Sequence, residues 1–107
     1  MATTTYMISG YHGTSDANLA PYVGLCITDD ILAAEHYADQ NGGAEVLAFD
    51  IDTTNLVVVD VEYDYDGCEP ILDGVEADVA EYLDCDEQGR THRTWMLLTK
   101  AAVAATN

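Results

Sequence analysis

The feature that most limits how this chain can fold is that one segment alone carries a clear helical pattern, "TDDILAAEHYADQNGG" at residues 28–43. Thr28 is a plausible N-cap, and the two aspartates after it lie where the helix macrodipole is positive. Gly42 and Gly43 provide a C-terminal stop. Between these ends, apolar side chains recur at three- to four-residue spacing. We therefore predict one main helix in an otherwise strand-rich chain.

The rest of the chain is dominated by strand patterns separated by turn residues. With 107 residues, of which 49% are hydrophobic, it is long enough for one core. We expect a single α+β domain over residues 1–107. The predicted strands are "TTYMISGYHG" (4–13, running into a glycine turn), "GLCIT" (24–28), a half-buried 44–52, a deeply buried 55–64, 79–84 and 91–98; 69–73 is predicted as a short turn or helix and 85–90 as a loop.

Charge is the most extreme part of the composition. Twenty Asp and Glu against three Lys and Arg give a formal net charge of −17. Such a chain is not expected to bind nucleic acid or anionic membranes directly. Three explanations stay open: adaptation to a salty cytoplasm, a docking face for a basic partner, and imitation of the phosphates of nucleic acid.

Several kinds of site and segment are not expected. No run approaches 18 apolar residues, and the N-terminus has neither a basic region nor a long apolar one, so neither a membrane span nor a secretory signal is predicted. Cys26, Cys68 and Cys85 are widely spaced and odd in number, which favours free thiols and a cytoplasmic, reducing location. His12 and His36 have no metal-site spacing with any cysteine, so no metal is predicted.

Three local features could carry chemistry: His12 in "YHGT", Tyr37 in "EHYAD", and the acidic stretch "LDCDEQG" at residues 83–89. Taken singly, each has an ordinary structural explanation. A histidine at a strand end is commonly held by a hydrogen bond, a helical tyrosine packs, and an acidic loop is solvated.

Taken together, "YHGTS…GLCITDDILAAEHYA" resembles the start of the ADP-ribosyltransferase superfamily, in its His–Tyr–acid branch. In that branch one strand carries H-G-[ST], and a second strand leads through a threonine into a helix with Y-A. The resemblance covers about residues 6–60 and is looser over 61–107. There, "DEQGRTHRTWMLL" is similar to the closing hairpin, with its T-W-bearing last strand, of small phage ADP-ribosyltransferases that act as anti-CRISPR proteins. The resemblance implies a split β-sheet core and NAD as the cofactor.

The resemblance also implies roles for individual residues. Gly13 would hydrogen-bond the nicotinamide carboxamide, since a glycine lets a ligand approach the backbone. Tyr37 would stack on the ring, and His12 would bind a ribose hydroxyl. Thr14 would support the same edge, and Thr28 would belong to the NAD-binding set.

A carboxylate completes the implied catalytic set with His12 and Tyr37. Cleavage of the glycosidic bond creates an oxocarbenium-like centre, which a nearby carboxylate stabilises. Asp86 is the first choice for this carboxylate, Glu87 the second and Asp84 the third.

The resulting expectation is an NAD-dependent mono-ADP-ribosyltransferase of anti-CRISPR type that modifies a basic host protein or nucleoprotein complex. The chain's few cations, Arg90, Arg93 and Lys100, lie near the last strand. They would form a phosphate-binding or target-facing edge, or simply relieve local repulsion. The alternative is a non-catalytic acidic mimic of nucleic acid that blocks a basic DNA- or RNA-binding partner.

Overall fold

The described residues form one six-stranded sheet with a helix on each face and a small separate hairpin. The computed structural model describes residues 7–40, 42, 45–85, 89 and 91–107. The elements are β1 (Met7–Thr14), β2 (Cys26–Thr28), α1 (Ile31–Gln40), β3 (Glu45–Asp52), β4 (Val58–Asp60), β5 (Tyr63–Asp64), β6 (Glu69–Pro70), β7 (Val79–Cys85), β8 (Thr91–Leu97) and α2 (Lys100–Ala104).

The strand order in the large sheet is β3-β1-β2-β8-β7-β4, and β5 pairs with β6 in the hairpin. All neighbours in the large sheet are antiparallel except β4, which runs parallel to β7. The sheet is therefore mixed, and the predicted α+β class is confirmed.

The hydrophobic core lies on one face of the large sheet. Residues that pair across strands point to the same face, so Ile27 opposite Trp95, and Val79 opposite Leu97, build one continuous apolar layer. Helix α2 covers part of this layer. The buried apolar residues of the core are Ile8, Leu25, Ile27, Phe49, Ile51, Val79, Trp95, Leu97 and Ala102.

Trp95 is fixed on the core face by a polar contact as well as by packing. Its indole Nε1 donates to Glu81 Oε1 at 2.5 Å, and Arg93 Nη1 donates to Glu81 Oε2 at 2.9 Å. Trp95 is 8% exposed. Strands β7 and β8 are thus tied together on the side that α2 covers.

Helix α1 packs against the other face of the sheet, over β1. Gly13 makes this approach possible, because a Cβ there would overlap the carbonyl oxygen of Ala34 and lie 2.6 Å from the amide nitrogen of Ala38. Ala34 and Ala38 are both buried. Small residues on both elements therefore set the distance between helix and strand.

The predicted cap of α1 is wrong by two residues. Asp30 Oδ1 accepts a hydrogen bond from Leu32 N at 2.9 Å, so Asp30 is the capping side chain. Thr28 ends β2 and is 4% exposed. Its hydroxyl donates to the Arg93 carbonyl oxygen at 3.2 Å and accepts from Asp30 N at 3.3 Å.

Other predictions also need correction. The predicted buried strand 55–64 is divided into the short β4 and β5, and β4 lies at the edge of the sheet with Val57, just before it, 54% exposed. The predicted turn or helix at 69–73 begins with β6 instead. Strand β1 continues through His12 and Gly13 rather than turning there.

Helix α2 is an element that the sequence patterns did not predict. Thr99 caps it, since its Oγ1 accepts from Ala102 N at 3.2 Å. After the helix the chain runs beside β3, where Asn107 N donates to Asp50 O at 2.8 Å and Asp50 N donates to Asn107 O at 2.9 Å. In the described part of the chain, neither helix has the length and apolar character needed to cross a bilayer.

Candidate functional site

A cavity of about 560 Å³ lies between the sheet, α1 and the β5–β6 hairpin. This volume falls within the range of roughly 300–1,000 Å³ that small-molecule sites occupy. Of the predicted site residues, His12, Gly13, Thr28 and Tyr37 line it. The structure therefore brings these four predicted residues together at one cavity.

The remaining predicted residues have different outcomes. Thr14 is not part of the lining, and its Oγ1 accepts a hydrogen bond from Asp16 N at 3.1 Å. Asp86 and Glu87 lie outside the described residues. Asp84, the third choice for the catalytic carboxylate, does line the cavity.

His12 lies where strands β1 and β2 separate. The two strands pair at Tyr11 and Thr28, and a continued ladder would bring His12 opposite Ile27 and then Gly13 opposite Cys26. Instead, His12 Nδ1 donates to the Cys26 carbonyl oxygen at 2.7 Å. Because a carbonyl can only accept, the neutral imidazole carries its proton on Nδ1 and keeps Nε2 as an acceptor.

The Asp84 carboxylate links α1 to strands β7 and β8. Tyr37 Oη donates to Asp84 Oδ2 at 3.0 Å, and Cys85 N donates to Asp84 Oδ1 at 2.7 Å. The buried His92 lies next to both, with its Nε2 3.6 Å from Asp84 Oδ2 and 3.5 Å from Tyr37 Oη. The carboxylate is therefore held in one orientation by neighbours from three elements.

A pair of stacked tyrosines forms another wall. The rings of Tyr63 and Tyr82 lie 5.5 Å apart at an interplanar angle of 12°. Tyr82 Oη is 3.6 Å from Cys26 Sγ. Burial raises the pKa of the Tyr82 phenol and of the Cys26 thiol, and burial together with the Asp84 carboxylate raises the pKa of Tyr63. All of these groups are therefore neutral at physiological pH.

The charged groups of the lining are acidic. Asp84 and Glu69 contribute carboxylates, and no Lys or Arg lines the cavity among the residues that the structure describes. Arg93 is engaged elsewhere, with Nη1 2.9 Å from Glu81 Oε2 and 3.8 Å from Asp60 Oδ1. Arg90, another of the predicted phosphate-binding cations, lies outside the described residues. The described walls suit a cationic or neutral aromatic ring better than an anion.

Sequence reasoning missed several groups at this site. His92, Tyr63 and Tyr82 had not been singled out, and neither had the cavity position of the three cysteines, all of which line it. The alternation along β7 was the available signal, since it places Tyr82 and Asp84 on one face of that strand. Over the described ranges, no group of three or more His, Cys, Asp or Glu side chains could hold a metal ion.

Comparisons of the chain with protein-family models, with curated proteins and with solved structures find no match.

Proposed function

We propose that this protein is an NAD-dependent ADP-ribosyltransferase whose catalytic carboxylate is Asp84. The observation that carries the proposal is the convergence of His12, Tyr37 and Asp84 on one cavity, from a strand, a helix and a second strand. The first two were expected there on the resemblance to the His–Tyr–acid branch. Asp84 supplies the acid among the described residues.

The chemistry of the cavity walls supports binding of the nicotinamide half of NAD. The nicotinamide ring of NAD is flat and cationic, and it matches a cavity with tyrosine faces and carboxylates. The backbone of Gly13 and the Nε2 acceptor of His12 supply partners for an amide and for a ribose hydroxyl. The pyrophosphate finds no Lys or Arg in the described lining, so it is expected to lie towards solvent.

Asp84 would act where charge develops. When the glycosidic C–N bond breaks, its electron pair leaves with nicotinamide and positive charge grows on the ribose carbon. A fixed carboxylate stabilises that charge without having to reorient, and the hydrogen bond from Tyr37 fixes it. The acceptor group of the target then forms the new bond to the same carbon and gives up a proton to Asp84 or to solvent.

The target is a basic protein or nucleoprotein complex of a host cell, such as a defence complex of the anti-CRISPR kind. A net charge of −17 repels nucleic acid and attracts positively charged surfaces, which raises the rate of encounter. In a chain of this size the acidic surface itself would do the docking.

The test is nicotinamide release from NAD and transfer of labelled ADP-ribose to protein, measured with and without host lysate. Asp84→Asn should lower both rates by about 10²–10³-fold, since it removes the charge and keeps the shape. Tyr37→Phe should lower them by roughly tenfold, the effect of one hydrogen bond to a charged group. His12→Ala should also lose activity. Asp73→Asn, a change at an exposed aspartate, is the matched control and should retain the wild-type rates.

The outcomes separate the alternatives. Activity that survives Asp84→Asn but is lost with Asp86→Asn or Glu87→Gln would move the acid to those positions. Absence of nicotinamide release by the wild type, at both low and high salt, would contradict the proposed function.

A second candidate function is supported by the lack of cations. Because the described cavity walls carry no Lys or Arg and Arg93 is paired with Glu81, a dianionic pyrophosphate has little to bind. A non-catalytic acidic inhibitor that occupies a basic nucleic-acid-binding groove needs no such cations. It predicts stoichiometric, salt-sensitive binding to a basic partner that is the same for the wild type and for Asp84→Asn.

A further inference from the structure

Thr94 differs from the other described residues in its hydrogen bonding. In the described part of the chain, its Oγ1 is the buried side-chain N or O atom that has no hydrogen-bond partner. The residue is only 4% exposed. A buried hydroxyl that makes no hydrogen bond lowers stability, so such groups call for a functional reason.

The register of the sheet explains where this hydroxyl is directed. Thr94 on β8 pairs with Thr28 on one side and with Tyr82 on the other, so these residues form one row across three strands. Thr28 in turn pairs with Tyr11 of β1. All four line the cavity, and their row forms its floor.

Three other hydroxyls of this floor and of the neighbouring wall have partners. Thr28 Oγ1 donates to the Arg93 carbonyl oxygen, and Tyr82 Oη lies 3.6 Å from Cys26 Sγ. Tyr37 Oη donates to Asp84. Thr94 thus lines the cavity with a side chain whose hydroxyl has no hydrogen-bond partner among the described residues.

Thr94 and its neighbour Trp95, the "TW" pair of the last strand, point to opposite faces of the sheet and have different roles. Trp95 points to the opposite face, where its indole is bound to Glu81 and packs in the core. It anchors β8, and the alternation of the strand then turns Thr94 towards the cavity. The sequence singled out this pair without assigning it a role.

We infer that Thr94 is a ligand-binding residue, whose Oγ1 donates a hydrogen bond to an acceptor oxygen of the molecule that enters the cavity. The inference rests on the proposed function for the identity of that molecule. An NAD-derived ligand offers two such oxygens, the carboxamide oxygen of nicotinamide and a hydroxyl oxygen of the ribose. Both are neutral acceptors, which suits a floor next to the Asp84 carboxylate.

The experiment measures binding of nicotinamide and, separately, of ADP-ribose by calorimetry, together with the melting temperature of each variant. Thr94→Val keeps the shape and removes the hydroxyl. It should weaken binding of one of the two ligands by about five- to tenfold, the effect of one hydrogen bond. The ligand affected identifies which oxygen Thr94 binds. Thr94→Ser, which keeps the hydroxyl, should restore the affinity.

Melting temperature distinguishes ligand binding from a structural role. Because the hydroxyl has no partner within the described fold, Thr94→Val should melt at or above the wild-type temperature. Thr106→Val is the matched control, since the buried Thr106 Oγ1 donates to Ala102 O at 2.7 Å on the other side of the sheet. It should melt lower than the wild type and bind both ligands unchanged.

Three results would overturn the inference: wild-type affinity of Thr94→Val for both ligands, no binding of either ligand by the wild type, or a fall in melting temperature as large as that of Thr106→Val. The inference and the proposed function can fail separately. Transfer activity that depends on Asp84, with Thr94→Val unchanged in binding, refutes only the role of Thr94. Binding that depends on Thr94, without any release of nicotinamide from NAD, refutes only the transferase.

Discussion

Gly13 serves the packing of the fold whether or not it also contacts a ligand. A Cβ at this position would overlap the Ala34 carbonyl oxygen of α1, so the helix could not keep its place. Under the proposed function, the same glycine would also let nicotinamide approach the backbone. Both explanations are compatible, but only the packing one acts in the unliganded protein.

Gly13→Ala is therefore expected to destabilise the fold by about 1–3 kcal/mol, because overpacking against a helix backbone forces the elements apart. Urea denaturation measures the change. Gly67→Ala is the control, since a Cβ there meets mainly the movable Asp64 side chain. Equal stability of the two variants would show that α1 does not need the glycine.

The buried tyrosine of the cavity predicts a loss of stability in alkali. Burial raises the pKa of Tyr82 above the ordinary tyrosine value of 10.0, so the folded state keeps a proton that the unfolded state releases. The contribution is fully present below pH 10 and is lost as the pH rises through and beyond that value, by up to about 1.4 kcal/mol per pH unit.

Urea denaturation at several pH values between roughly 9 and 11 tests this. Tyr82→Phe should flatten the decline, whereas Tyr22→Phe, a change at an exposed ring, should leave it unchanged. A decline as steep in Tyr82→Phe as in the wild type would assign the effect to other groups.

The sequence predicted those site residues that belong to local motifs. His12 and Tyr37 were expected together from "YHGT" and the helix that follows, and both line the cavity. The contact between Asp84 and Tyr37 could not be predicted from the sequence, and Asp86 and Glu87 lie outside the described residues. The acid of residues 83–89 that contacts Tyr37 is determined by the register of β7 and by the position of α1 on the sheet. Both depend on non-local contacts.

At the scale of elements, the strongest local patterns gave β3, β7, β8 and α1, and the weaker ones failed for identifiable reasons. The β-branched run that contains β4 was predicted to be buried, yet β4 lies at the sheet edge, because side-chain preference does not determine strand order. Helix α2, only five residues long, is too short for a periodic pattern. Thr28 was predicted to cap α1, but its hydroxyl bonds to the Arg93 carbonyl oxygen, and Asp30 caps the helix instead.

Asp78 joins three elements and predicts a measurable effect on their assembly. Its Oδ2 accepts from Val57 N just before β4, and its Oδ1 accepts from Thr99 Oγ1 at the start of α2, both at 2.8 Å. These bonds lower the pKa of Asp78 below 3.8. Asp78→Ala should lower the free energy of unfolding at neutral pH by about 1.5–3 kcal/mol.

The pH dependence gives a second readout for the same residue. A lowered pKa means that the stabilisation is present above pH 3.8 and is lost as the pH falls through the folded-state value. The difference between the wild type and Asp78→Ala should therefore shrink in acid. A constant difference at all pH values, or an equal effect of Asp73→Ala at an exposed site, would contradict this role.

At the scale of the whole molecule, unpaired negative charge dominates. Twenty acidic residues face three Lys and Arg, and the ion pairs of the described residues gather around Arg93 and His92. Self-repulsion of this kind opposes the compact state and is screened by salt.

The melting temperature is therefore expected to rise with KCl by about 4–8 °C, which corresponds to roughly 1 kcal/mol for a domain of this size. Screening alone saturates near about 1 M, where the Debye length is only about 3 Å. Thermal melts from low salt to several molar KCl test this. A continued climb far above that concentration would assign the acidity to a salty environment, and a flat response would show that repulsion does not limit stability.

The placement of Trp95 has a practical optical consequence. It is the chain's single tryptophan, and it lies on the face of the sheet opposite the cavity, whereas several of the seven tyrosines line the cavity itself. Tryptophan fluorescence should change when the core unfolds and should not change when a ligand binds in the cavity. Tyrosine absorbance should respond to the ligand. Folding and binding can thus be followed as two separate spectroscopic signals in one unlabelled sample.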